Sequence, residues 1–225
     1  MKTICTFLLC LVAMCTQAQA LFEKRMFRMG VNLVETTGPL SETIEKSLGQ
    51  AQLKPVFNLG FGGDIRLTTN IHLHVGAQYQ PRGYAYKLTS TDSTYTKTNL
   101  VLHYLDVPLS LALTAGGKKA RVKPYIEAGV YAGIGLFGRN KRSGQIINPK
   151  TKLADSTFTE SSKVFGEQVK QIDYGLNLSA GIQTRMVQFG VTYGMGLNNI
   201  SLQKGEAIRN RTYGLFMNIL FDDWF

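Results

Sequence analysis

From Phe57 to Leu67 the residues separate onto two alternating phases. Phe57, Leu59, Phe61, Ile65 and Leu67 occupy one, broken only by Gly63; Asn58, Gly60, Gly62, Asp64 and Arg66 occupy the other. A period of two is that of a β-strand. The alternation recurs in eight segments, over 26–34, 55–67, 71–88, 100–114, 122–138, 169–184, 187–200 and 211–225. In the fourth, Leu105, Val107, Leu109, Leu111 and Leu113 oppose Asp106, Pro108, Ser110, Ala112 and Thr114. Pro81-Arg82-Gly83 reads as a bulge that resets the phase of the third segment. The connections alternate in length. Those over 35–54, 89–99, 139–168 and 201–210 are long and polar, and the three between them are short. Short periplasmic turns and long outer loops are the mark of an outer-membrane barrel.

The composition of the polar phase decides which face is wet. A soluble barrel would carry lysine, glutamate and threonine on its exposed strand face. Here that phase is mostly glycine and small polar residues, with almost no lysine inside the strands. Glycine weakens a strand, so its repetition needs a steric reason. The interior of an eight-stranded barrel, just wide enough for side chains to fill, supplies one. The pattern predicts an all-β fold: an eight-stranded antiparallel transmembrane β-barrel, an up-and-down meander of outer-membrane type. Its apolar phase faces lipid and both termini lie in the periplasm. A hairpin inside 139–168 would raise the strand number to ten.

A lumen that narrow closes around its own side chains. Arg28, Arg66 and Arg185 are placed to neutralise Asp64, Asp106, Glu127 and Asp173 as a buried polar network, with His72 and His74 beside them. The two histidines share one strand face, and Asp64 lies across the hairpin. A metal needs more ligands than these, so they are read as hydrogen-bonded lumen groups and no metal or other cofactor is expected.

The N-terminus sets the compartment. Lys2, the apolar run from Ile4 to Met14 and the small-x-small Ala18-Gln19-Ala20 read as a signal peptide cleaved after Ala20, leaving residues 21–225 as one barrel domain. All three cysteines, Cys5, Cys10 and Cys15, lie within that signal, which excludes disulfides and thiolate chemistry from the mature chain. The net charge of +10 gathers between strands, without an aromatic-interleaved stripe, so nucleic acid is not an expected partner. The basic residues of the long loop, Arg139, Lys141, Arg142, Lys150 and Lys152, form a candidate contact surface for lipopolysaccharide or an envelope protein. Outward aromatics read as interfacial girdles, with Tyr174 and Tyr213 near the outer interface and Phe189, Phe221, Trp224 and Phe225 near the periplasmic one.

Several strands carry a signature of their own. Leu102-His103-Tyr104-Leu105-Asp106-Val107-Pro108-Leu109 resembles the "YL-x-IPL" strand of the Bacteroidota outer-membrane β-barrel domain family known as PorT-like. Pro124-Tyr125-Ile126-Glu127-Ala128-Gly129, Asp173-Tyr174-Gly175-Leu176 and the run from Tyr193 to Ile200 are similar to its following strands. The resemblance covers essentially the whole mature chain. It implies an eight-stranded outer-membrane barrel, and the C-terminal Phe225 resembles the aromatic end that barrel-assembly machinery recognises. The family motifs specify fold and leave activity open.

No catalytic constellation emerges. His103 lies on the outward phase near the outer rim, its neighbour two residues on is Leu105, and Ser110 points inward. Without nucleophile, base and orienter in mutual reach, no triad forms. The expectation is a non-enzymatic outer-membrane barrel with a filled lumen, acting through its outer loops. The alternatives are a narrow porin-like channel for small solutes and a barrel attached to a secretion system.

Overall fold

A computed structural model describes residues 24–37, 51–89, 94–116, 120–147, 154–202 and 207–221. The expected signal peptide over 1–20, Lys150, Lys152, Trp224 and Phe225 lie outside the described residues. Ten strands follow in chain order: β1 (Lys24–Thr37), β2 (Ala51–Gln52), β3 (Lys54–Arg66), β4 (Ile71–Thr89), β5 (Thr94–Thr114), β6 (Lys123–Ile147), β7 (Ala154–Lys163), β8 (Ile172–Gln183), β9 (Val187–Gly196) and β10 (Arg209–Phe221). Eight of them close a ring, each antiparallel to its neighbours, from β1 through β3, β4, β5, β6, β8, β9 and β10 back to β1. The two-residue β2 pairs with β4, and β7 pairs with β6, without either entering the ring. The barrel is thus eight-stranded, and the hairpin within 139–168 is built on its rim.

Its hydrophobicity is inverted relative to a soluble domain. On β5 the outward Val107 and Leu111 are 53% and 51% exposed, while the inward Asp106 and Ser110 are 4% and 2% exposed. A wall that shows leucine outward and buries aspartate is one whose outer solvent is hydrocarbon. Closure leaves no free edge through the apolar band, so ladder bonds satisfy the backbone where water is absent.

Two irregularities shape the outer half. Opposite His103 and Tyr104 the register shifts, because Leu136 is an extra residue between Gly135 and Phe137; Leu136 and Phe137 both turn outward. The second lies between β3 and β4. Their ladder runs from Arg66↔His72 to Leu59↔Tyr79, and no higher pair joins these two strands among the described residues. Yet β3 continues against β1 to Lys54↔Val34, and β4 against β5 to Thr89↔Tyr95. Pro55 and Pro81 lie within this seam, and neither has an N–H to donate.

The seam corrects one expectation. Pro81-Arg82-Gly83 does not reset the phase, since the β4–β5 register runs unshifted through it and Gln80 and Arg82 stay buried on the phase of His74. Pro81 stands where β3 has already parted, so its missing donor breaks nothing. Gly83 takes φ +136° to keep β4 against β5, where a side chain would strike the Leu100 carbonyl.

Candidate functional site

Among the described residues, buried charge is concentrated in the lumen. Toward the outer end Arg82 is its centre. The guanidinium lies between two rings, 4.9 Å from the Tyr104 centroid and 4.6 Å from that of Tyr131. Nη1 donates to Asp106 Oδ1 at 3.0 Å and Nη2 to Oδ2 at 2.5 Å, while Nε lies 3.7 Å from Asp173 Oδ2. Asp173 also accepts from Tyr131 Oη at 3.3 Å and from Asn210 Nδ2 at 2.8 Å. Five strands thus converge on one arginine and two carboxylates, all essentially without solvent. Buried charges persist only when paired and hydrogen-bonded, as these are.

Amides fill the middle of the barrel. Asn58 Nδ2 and Gln78 Nε2 both donate to Gln80 Oε1, at 3.2 and 2.7 Å, and Ser179 Oγ donates to Thr192 Oγ1 at 3.1 Å. A polar cavity of about 20 Å³ remains among Arg28, Asn32, Asn58, Gln80 and Thr212, room for about one water. Toward the short turns, Asn218 Nδ2 donates to Gln188 Oε1 at 2.8 Å and Gln188 Nε2 to Gln183 Oε1 at 2.9 Å. Asp64 Oδ1 meets His74 Nδ1 at 3.2 Å, and the Arg28 guanidinium covers the Phe216 ring at 4.3 Å.

Above Arg82 the lumen is closed by a lid. Between β7 and β8 the chain turns inward through Val164–Val169, held by Gln168 N–H on Val164 O at 2.9 Å and by Gly166 N–H on Val169 O at 3.0 Å. Gly166 supplies the φ of +84° that the turn needs. The segment after β9 meets it: Lys170 N–H donates to Ile200 O at 2.7 Å and Leu202 N–H to Gln168 O at 3.0 Å. Asn199 Oδ1 ties the second segment by accepting from Ser201 N–H at 3.0 Å and Ile208 N–H at 2.8 Å. The underside is apolar: Val164, Val169, Ile200 and Ile208 pack on Leu100, Leu102 and Tyr104, and Phe165 joins edge-on to Tyr104 at 5.4 Å. The Phe165 ring is seated against Gly135, where a Cβ would collide with it.

Of the side chains expected in the lumen, Arg28, Asp64, His74, Asp106, Glu127 and Asp173 are buried there and His72 is half-buried. Arg66 and Arg185 are not inside. Both are exposed at the short turns, where strands end and the wall no longer encloses a side chain. The expected pairing also changes, because the arginine facing Asp106 and Asp173 is Arg82, which the sequence pattern assigns to a bulge. Continuing the β4 phase through Pro81 places it in the lumen. The lid has one faint signal in the sequence, the apolar Val164-Phe165 pair within a polar loop.

Outside the lumen, Arg139 and Lys141 are exposed on β6, and Arg142 is opposite Glu160 in register. Tyr174, Phe189, Tyr213 and Phe221 face outward, with Tyr213 Oη donating to Glu35 Oε1 at 3.0 Å. His103 contacts Tyr79 and Phe137 on the outer wall.

A family model described as "Outer membrane protein beta-barrel domain" matches residues 17–202. No curated protein sequence matches the chain. Among solved structures, the chain is similar to Neisserial surface protein A, at 13% identity and TM-score 0.42, covering 88% of this chain and 97% of that one. It is similar to the outer membrane protein OprG of Pseudomonas aeruginosa at 12% identity and TM-score 0.48, covering 90% and 97%. It is also similar to PagL, described as an outer membrane enzyme, at 15% identity and TM-score 0.45, covering 85% and 98%.

Proposed function

Because this chain belongs to the outer membrane protein β-barrel domain family and resides in the outer membrane, we propose that it is a closed, non-catalytic barrel that works through the surface it raises above the bilayer. The single observation that carries this is the blocked lumen. The Arg82–Asp106–Asp173 cluster lies beneath an apolar lid, and the cavity below holds about 20 Å³. An ion entering would have to displace paired buried charges, each costly to leave without a partner. The investment lies elsewhere, in β5 and β6 continuing well past the lid and in β7 added to them. That outer sheet, with Arg139, Lys141 and Arg142 on β6 and the connection holding Lys150 and Lys152, is the surface offered to an envelope partner, protein or lipopolysaccharide.

The non-catalytic reading is supported by the surroundings of His103, whose imidazole meets the rings of a tyrosine and a phenylalanine. The finer likeness to the PorT-like branch, insertion by barrel-assembly machinery and cleavage after Ala20 belong to the same proposal, resting on the strand motifs and the N-terminal run. The test is single-channel recording of the purified protein in planar bilayers. No ohmic openings are expected. Steady openings would favour the narrow channel and sink the closed-barrel reading.

A further inference from the structure

Three aromatic side chains meet on the outer wall where β4, β5 and β6 leave the apolar band. Tyr79 Oη lies 2.5 Å from His103 Nδ1, and the imidazole stacks on the Phe137 ring with centroids 4.1 Å apart. Below them the outward positions are apolar, with Leu105, Val107 and Leu109 on β5 and Val130 and Ile134 on β6. Amphipathic rings of this kind settle at the headgroup level, so the row marks the outer interface of the bilayer.

Directly above the row the outward positions become cationic. Arg139 and Lys141 follow Phe137 on the outward phase of β6, β7 sets Lys163 opposite Arg139, and β5 sets Asn99 opposite Lys141. Lys54 reaches the same place from the head of β3, its Nζ donating to Asn99 Oδ1 at 2.7 Å across the seam. Directly opposed residues of antiparallel strands bring their Cβ atoms to about 5 Å, and like charges so placed repel. Neither Arg139 nor Lys163 forms an ion pair with a described residue. Of the carboxylates in β4 to β7, Asp106 and Glu127 are buried in the lumen, and Asp155 and Glu160 lie farther out along β7, Glu160 opposite Arg142 in register. The protein thus holds like charges together at the one height where bound anions are abundant.

We propose that Lys54, Arg139, Lys141 and Lys163, standing above the Tyr79–His103–Phe137 row, bind the phosphate groups of an anionic lipid of the outer leaflet. The lipid chains lie along the apolar wall beneath. Arginine takes a phosphate oxygen pair with its planar fork, and the lysines add point charges around it. The site deepens the reading above: it shares Arg139 and Lys141 with the outer sheet, commits them to a lipid phosphate at the headgroup level, and requires the barrel to sit in the bilayer.

The experiment places the full barrel in phosphatidylcholine nanodiscs containing a minor fraction of lipid A or of its dephosphorylated form. Retained lipid is counted by native mass spectrometry. Lipid A is expected to be enriched over its bulk fraction, the dephosphorylated form not, and the enrichment is expected to weaken with salt. Each interfacial cation is worth about fivefold, so R139Q/K141Q/K163Q should lower the enrichment about a hundredfold. R209Q, at the head of β10, should leave it unchanged. Equal retention of the two lipids, or equal enrichment by the triple variant, overturns the site. Displacement of lipid A by inorganic phosphate would make it a free-anion site and overturn the lipid assignment. Heat-modifiable migration checks folding. If the triple variant fails to insert, R139Q takes its place: a loss of about fivefold supports the site and undiminished enrichment overturns it. A silent bilayer with no lipid preference would remove this site and leave the closed barrel standing; steady conductance with a lipid preference would do the reverse.

Discussion

Arg82 supplies the positive charge facing Asp106 and Asp173, and its face-on contacts with Tyr104 and Tyr131 fix it across the bore. Removing it strands two buried carboxylates. R82M is expected to cost about 3–5 kcal/mol, the usual loss when one member of a buried pair is taken away. R82M/D106L should cost less, since Asp173 keeps its bonds from Tyr131 and Asn210. Urea unfolding from vesicles measures both, and an unchanged midpoint for R82M would show that the cluster carries no stability. Some pairings in this lumen are legible in the sequence and others are not. Asp64 and His74 are directly opposed across a short turn, so the hairpin alone brings them together. Arg82 and Asp106 are not opposed: Arg82 faces Leu102 and Asp106 faces Gln78 in the β4–β5 register. They lie on paired strands four residues out of register, so their contact rests on the reach of the arginine along the lumen face, while its second partner, Asp173 on β8, is brought to it only across the closed bore.

At the scale of elements, the strands are legible wherever lipid lies on one side and lumen on the other. Within the ring the expected and observed starts agree at Ile71 and Val187 and differ by one residue at Lys54 and Lys123. The agreement fails above the membrane. There β6 runs to Ile147 and β7 pairs with it, although 139–168 carries no apolar alternation, because a sheet wet on both faces has no reason to alternate. The seam between β3 and β4 is likewise invisible to a pattern, since Val56 and Asn58 alternate with Phe57 as in any paired strand. It has a dynamic consequence. With a partner on only one side, the segment 54–58 should lose amide protection sooner than 59–66 of the same strand. Hydrogen exchange in detergent or nanodiscs reads the two halves separately, and equal protection would mean that the seam is bridged.

The whole molecule has a direction. The three short turns lie at the end of the barrel opposite the lid, and the described residues begin and end there, at Lys24 and Phe221. The length asymmetry of the connections predicts that this end is periplasmic. Since every cysteine in the chain lies in the first 15 residues, within the proposed signal peptide, a cysteine introduced into the barrel is the sole thiol among residues 16–225. S162C and L202C, both exposed near the lid, should react on intact cells with a maleimide that does not cross membranes. A120C, exposed in the turn before β6, should react only after lysis. The opposite pattern would invert the topology and remove the basis for an outer-leaflet lipid site.

Alternation determined the strands of the apolar band, and the glycine-rich, lysine-poor composition of the inward phase determined which face meets lipid and that the lumen would be crowded. Each of these follows from the solvent a side chain meets, which is written residue by residue. The structure decided that the ring holds eight strands and not ten. The lid, the seam and the partners of Arg82 were decided only in three dimensions. They join Tyr104 to Phe165, Lys170 to Ile200, and Arg82 to Asp173. Segments that far apart in the chain meet only once the ring has closed, and closure is a property of all eight strands together.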